Sequence, residues 1–335
     1  IYSFIKKNGD KKTFICDINT INYNLAITIK SHGKLKLQSD IVQLLKSKKN
    51  KTEQRGMISS HIRDGASLTK FIFWLKNKVK IKKITEMDAI KYLDNLRKKN
   101  DNFFSLSFPT IGGAGSNGAI VHYRAKKSTN KQIKKSDLFL VDSGAQYLDG
   151  TTDVTRTISF KKPRKDQVDM YTRVLKGHIA IASSNFKYGE KGKKLDTLAR
   201  KYLKEINCNF EHSTGHGVGC FLNVHESPPS ISQFSKISFE EGMVVSNEPG
   251  FYKKNHYGIR IESLILSHLK KGYIRFKTIT MAPFERELIN TKILSKKEIK
   301  WIDDYHLIVK SNLLQFMNES EKKWLVSQTL PLSIS

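Results

Sequence analysis

The sequence predicts an α+β fold in which helices alternate irregularly with antiparallel hairpins. Three observations point there. Apolar residues recur at helical spacing between residues 50 and 100. Beyond residue 136 the pattern shortens to runs of strand length with turn signals between them. Helical segments then interrupt those strands without the regular strand–helix–strand order of a parallel sheet.

Residues 1–50 read as strand-like pieces at Thr13–Ile18 and Leu25–Ile29, then a short helix near Ile41–Leu45. Ile1–Asp10 does not look like the start of a domain, so the chain is expected to be the C-terminal part of something longer. The polar, basic run Ser47–Thr52 reads as a linker. A long amphipathic helix follows, because Leu68, Phe71, Ile72, Leu75 and Val79 fall on one stripe. Thr85 caps a second helix, with Asp88 in the place of a capping-box Glu, and Ile90, Leu93 and Leu96 make its buried face. Asp137–Ser143 is a strand ending in acid, and Thr151–Phe160 its partner across an Asp149-Gly150 turn. Helices are expected at about Asp166–Ser184 and Leu195–Ile206, strands at Met243–Asn247 and Gly258–Leu266, and a helical tail from Ser295.

Apolar content of 39% with 10% aromatic is that of a globular chain. No run approaches the roughly 18 apolar residues of a spanning helix, so no membrane partner is expected. The net charge of +28 invites a nucleic-acid reading. Yet only 11 of the 59 basic residues are Arg, the side chain whose planar fork suits phosphate and bases. The lysines are spread along the whole chain, so a Lys-rich surface is expected rather than a polyanion site. Cys16, Cys208 and Cys220 are odd in number and fit neither a metal spacing nor a disulfide framework. A reducing, cytoplasmic setting is the expectation.

Five residues have the chemistry of metal ligands: Asp142, Asp153, His216, Glu248 and Glu262. Four carboxylates and one imidazole suit two hard-to-borderline divalent ions, whose mutual repulsion needs bridging anions. Three of the five sit at an expected strand end or beside a glycine, in Asp142-Ser-Gly, Gly215-His216-Gly217 and Glu248-Pro-Gly, where backbone can approach closely. Glu262 lies within the expected strand Gly258–Leu266. Singly, each has a plainer reading as a turn, cap or loop residue. A tight Asp149-Gly150 turn also places Asp142 and Asp153 four positions out of register, roughly 13 Å apart at strand rise. They share a metal only if a bulge or a wider loop shifts the pairing.

Longer motifs carry more. The segments Asp142–Arg156 (DSGAQYLDGTTDVTR), His212–Glu226 (HSTGHGVGCFLNVHE), Ser246–Tyr252 (SNEPGFY) and Gly258–Ser263 (GIRIES) resemble the aminopeptidase P family of Xaa-Pro aminopeptidases, within the methionine aminopeptidase-like pita-bread superfamily. Ser116–Tyr123 (SNGAIVHY) is similar to the family's proton-shuttle segment. The likeness extends over the helix from Arg55 and the tail Thr329–Ile334 (TLPLSI). It implies a pita-bread catalytic domain over residues 51–335, with residues 1–50 the end of a preceding non-catalytic, creatinase-like domain. It also implies that Asp142 chelates one ion, that Asp153 and Glu262 bridge both, and that His216 and Glu248 complete the coordination of the second ion. Arg260 would orient a carboxylate ligand. His122, His212 and His225 match substrate-contacting and proton-transfer positions, and Tyr252 falls in a substrate-contacting motif. Asn247 and Ser227 depart from the Asp and Gly often found there, and neither is a ligand.

What the resemblance implies is a metal-dependent aminopeptidase that hydrolyses the N-terminal Xaa-Pro bond through a hydroxide bridging two divalent ions, manganese by expectation, with zinc or cobalt as alternatives. His122 would protonate the departing nitrogen, and His212 or His225 would balance charge on the tetrahedral intermediate. A homodimer is expected, and nucleic acid is not an expected partner. The rival readings are a prolidase-type dipeptidase, a non-enzymatic pita-bread binding protein, and a nucleic-acid binder built on the lysines.

Overall fold

The computed structural model describes residues 1–38 and 40–332, so the last residues of the Thr329–Ile334 tail lie outside it. The chain divides into two compact units, Ile1–Lys46 and Ser47–Ser335.

In the first unit, strands Thr13–Asp17 and Lys34–Gln38 pair in parallel, joined by helix Tyr23–His32. The stretch Leu25–Ile29, expected as a strand, lies inside that helix. Its branched residues suggested a strand, but Asn22 caps the segment, accepting from the backbone N–H groups of Asn24 and Leu25. The parallel pairing also demands a crossover element at this place.

In the second unit, Ser47–Thr52 is no linker. Ser47 and Lys49 are buried, and the Lys49 ammonium meets Glu226 Oε1 at 2.8 Å. Nothing local in the sequence announces a partner so distant. Asn50 then caps helix Lys51–Ile81 in a reciprocal box with Glu53. The expected stripe Leu68, Phe71, Ile72, Leu75 and Val79 is buried along that helix. It packs beside helix Glu86–Arg97, which begins at the expected Thr85–Asp88 box. The buried row of this second helix is Glu86, Ala89, Leu93 and Arg97; Ile90 and Leu96, expected inside, are half-buried. The row is turned because Arg97 is drawn inward, donating through Nε and Nη2 to both oxygens of Asp64 at 2.8 Å. Tyr147 adds a third contact to Asp64 at 2.9 Å.

The sheets of this second unit are antiparallel. Strand Leu138–Ser143 lies between Ile111–Ala114 and Val154–Ser159. A six-stranded sheet runs in the order Glu226–Ile231, Gly215–Gly217, Val244–Asn247, Ser263–Lys270, Tyr273–Thr278, Asn185–Lys187. Strand Gly250–Lys253 pairs separately with Tyr257–Arg260. Helices Lys165–Ala182, Gly192–Lys204, Lys296–Leu313 and Glu319–Gln328 flank these sheets. No helix among the described residues is long and apolar enough to cross a membrane.

Three core histidines tie this packing to pH. Burial lowers His61 to about 4, and His178 and His306 to about 3. His306 must be neutral, because its Nε2 accepts the Phe284 backbone N–H at 3.1 Å. In the unfolded chain each histidine takes up a proton below its ordinary value near 6.5, so stability falls as pH drops from there toward 3–4. Between pH 7 and pH 5 each such group costs about 2 kcal/mol. The drop in Tm over that interval is therefore expected to be smaller in His306→Gln, whose side chain still accepts a hydrogen bond. Equal drops in parent and variant would contradict the assignment.

Candidate metal centre

The register problem between Asp142 and Asp153 is resolved by the turn. Asp142 pairs with Thr155 and Ser143 with Val154, while Gln146 pairs with Thr151 and Tyr147 with Gly150. The two turn residues are thus Leu148 and Asp149, one place earlier than expected, which moves the pairing by two. Asp153 becomes the diagonal neighbour of Asp142 on the same face, roughly 7 Å away at Cα, with no bulge needed. Gly150 is required for packing rather than for the turn: a Cβ there would lie 2.4 Å from Ser60 Oγ on the long helix. Asp149 is held from the same helix by Arg63.

His216 sits where three strands close tightly. A Cβ at Gly215 would lie 1.9 Å from the Ser246 carbonyl, and one at Gly217 2.3 Å from that of Glu226. His216 donates its backbone N–H to Ser246 Oγ at 2.9 Å. With Nδ1 donating to the Gly217 carbonyl at 3.0 Å, the bare Nε2 faces Asp153 Oδ2 at 3.5 Å and Glu248 Oε1 at 3.4 Å. Glu248 follows strand Val244–Asn247 and accepts from Ser246 Oγ at 3.0 Å.

Glu262 is not inside a continuous strand as expected. The extended chain breaks at Ile261 and Glu262, and its halves, Tyr257–Arg260 and Ser263–Lys270, belong to different sheets. The break has a cause: buried Arg156 donates to the Glu262 carbonyl at 2.6 Å, and Ile261 N–H turns to the Pro249 carbonyl. Thr155 Oγ1 donates to Glu262 Oε2 at 2.8 Å, so the side chain is aimed back at the Asp142 hairpin. Arg260, beside the break, donates to Asp142 Oδ2 and to the Tyr252 hydroxyl, each at 2.7 Å. Thr155, Arg156 and Ser246 are contributors that residue chemistry did not single out. The first two lie within Asp142–Arg156, the motif that carried the resemblance.

The electrostatics call for a cation. Burial raises Asp153 and Glu262 well above the carboxylate range, and neighbouring carboxylates push both further up. Glu248 is raised as well, first by burial. Asp142 Oδ1, Asp153 Oδ1 and Glu262 Oε1 are buried without a hydrogen-bond partner among the described residues. Asp153, His216 and Glu262 each offer a ligand atom within 4.8 Å of the others. Oxygen donors with one imidazole are the set that hard-to-borderline divalent ions take, so the residues fit such ions.

These groups line a cavity of ≈ 550 Å³ together with His122, His212, His225 and an apolar wall that includes Phe108 and Ile111. The ring of His225 lies 4.0 Å from that of His216. Half-buried His212 uses both nitrogens, on Ser213 O and on the Tyr252 hydroxyl at 2.8 Å each, and burial lowers it to about 4. Tyr252 stands behind His212 and Arg260 and is not among the residues lining the cavity; burial pushes its phenol up to about 12. His122 and His225 make no hydrogen bond among the described residues.

Comparison with known proteins agrees with this geometry. A sequence model described as metallopeptidase family M24 matches residues 55–268, and one for the C-terminal region of peptidase M24 matches residues 272–332. A probable Xaa-Pro aminopeptidase P of Aspergillus flavus is 39% identical over 94% of this chain and 50% of its own length. Aminopeptidase P1 of Arabidopsis thaliana is 36% identical over 90% of this chain and 52% of its own. The chain thus spans about half the length of the curated relatives it matches. Among solved structures, the X-prolyl aminopeptidase of Caenorhabditis elegans, described as a cytosolic enzyme with a di-nuclear active site, superposes with a TM-score of 0.93. It is 35% identical, over 98% of this chain and 55% of that one. The prolidase of Pyrococcus furiosus superposes with a TM-score of 0.69 at 28% identity, over 84% of this chain and 79% of that one.

Proposed function

The chain belongs to metallopeptidase family M24 and has its pita-bread fold, and from that premise we propose that it is the catalytic portion of a metal-dependent Xaa-Pro aminopeptidase. The observation that carries the reading is the set of buried oxygens on Asp142, Asp153 and Glu262 without a hydrogen-bond partner among the described residues, in one cavity with His216. With Glu248 these residues would hold two divalent ions, manganese first, with zinc and cobalt as the alternatives. Bound there, the ions would supply hydroxide near neutral pH and polarise the scissile carbonyl. Residues 51–335 are assigned the catalysis. A cytoplasmic location and a homodimer follow the likeness to the cytosolic C. elegans enzyme and the family resemblance.

The chain's own groups divide the remaining work. Arg260 fixes the Asp142 carboxylate through its 2.7 Å contact, as groups behind a ligand do. His225, without a hydrogen bond among the described residues and with its ring 4.0 Å from that of His216, is better placed than His212 to meet negative charge developing on the substrate oxygen. His212 instead braces Tyr252. His122 gives the departing proline nitrogen its proton, since imidazole titrates in the useful range.

His122→Ala is expected to lower kcat by roughly 100-fold or more with metal content unchanged. Equal loss of both, by elemental analysis and rate, would make His122 structural or a ligand. The overall reading is tested with Arg-Pro-Pro and Arg-Ala-Ala, with and without added manganese. Metal-dependent release of arginine from the proline peptide alone is expected. Cleavage of the dipeptide Arg-Pro but not of Arg-Pro-Pro would favour the prolidase-type reading, and silence on all of them with metal bound would favour a binding protein.

A further inference from the structure

We propose that Arg124 binds the C-terminal carboxylate of the substrate, so that tripeptides of the form Xaa-Pro-Yaa are preferred. The inference rests on the aminopeptidase reading and sharpens its substrate class.

The segment carrying Arg124 is anchored from behind. Tyr123 is buried, and its hydroxyl donates to Glu86 Oε2 at 2.9 Å. Glu86, itself fully buried, also accepts from the backbone N–H groups of Ala114 at 2.7 Å and Lys131 at 3.0 Å. The neighbours of Tyr123 on either side, His122 and Arg124, are exposed and both line the cavity. One pinned residue thus presents two cavity groups whose Cα atoms are no more than about 7 Å apart.

Charge in the cavity singles Arg124 out. Asp142, Asp153, Glu226, Glu248 and Glu262 line it, all acidic, with Arg260 committed to Asp142. Arg124 makes no hydrogen bond or ion pair among the described residues. It is the cavity's uncommitted guanidinium, in the planar form that grips a carboxylate through two N–H donors.

Substrate dimensions then select the length. With the proline nitrogen at His122, the carboxylate of a dipeptide ends within one residue of it. That of a tripeptide ends one residue, roughly 3.5 Å, further on, in the range of the His122–Arg124 step. Longer peptides carry their terminal charge past Arg124.

The test compares Arg-Pro-Ala with its C-terminal amide, with manganese present, in the purified protein and in Arg124→Ala and Arg124→Lys. The parent is expected to favour the free acid by roughly tenfold in kcat/KM, mostly through KM, because the contact is remote from the reacting atoms. That preference should shrink with added salt, as for any exposed ion pair. It should fall to about one in Arg124→Ala and to an intermediate value in Arg124→Lys. Equal cleavage of acid and amide by the parent overturns the inference while leaving the aminopeptidase reading intact, and so does a preference that survives Arg124→Ala. If the parent cleaves neither peptide, the aminopeptidase reading itself fails and this inference falls with it.

Discussion

Replacing Glu248 or His216 with alanine is expected to lower kcat/KM on an Xaa-Pro peptide by roughly 10³-fold or more, with the fold retained. The size follows from the shared geometry. His216 Nε2 lies within 3.5 Å of both Asp153 and Glu248, so removing either side chain withdraws a ligand atom from the site proposed to hold the ions. The fold should survive because neither side chain is a keystone of packing. Glu248 is held by Ser246 Oγ, and the strand at His216 is closed by backbone contacts at Gly215 and Gly217. Circular dichroism should match the parent, while bound metal, by elemental analysis after dialysis, should fall below two ions per chain. Undiminished turnover by either variant, or by the parent in metal-free buffer, would sink the dinuclear proposal.

The largest effect on stability should come from Arg97 and Asp64. Arg97 is wholly buried, and its guanidinium meets both Asp64 oxygens at 2.8 Å. Breaking such a pair leaves one charge buried and uncompensated, at about 3–5 kcal/mol. Arg97→Met or Asp64→Leu alone should therefore lower the urea midpoint sharply. The double variant, with no stranded charge, should recover much of the loss. If the double variant were as unstable as the sum of the singles, the pair would owe its worth to its other contacts, such as Tyr147 on Asp64.

Legibility in the sequence followed the range of the interaction concerned. The apolar stripe from Leu68 to Val79 and the Thr85–Asp88 box repeat within a turn or two of one helix, and both stand where periodicity and capping put them. Leu25–Ile29 misled because branched residues spoke for a strand, while the deciding facts were the Asn22 cap and a parallel partner further along. Ser47–Thr52 looked like a linker because Glu226, which holds Lys49, is remote in sequence. The site residues were nameable because each sits in a contiguous motif, and all of them but Tyr252 face one cavity. How they come together was not nameable. The break at Glu262 depends on Arg156 reaching its carbonyl, and the register of Asp142 on contact between Gly150 and a helix laid down almost a hundred residues earlier.

That last contact makes the Asp142–Asp153 hairpin a calibrated ruler. Hairpin tips are ordinarily where chains accept an added or lost residue. Here one residue inserted between Gly144 and Thr152 would turn Asp153 to the opposite face, unless Gly150 gave up its seat against Ser60. Among natural variants of this chain, length changes should accumulate in other loops and leave this short segment fixed, even where its exposed residue, Leu148, drifts freely in identity.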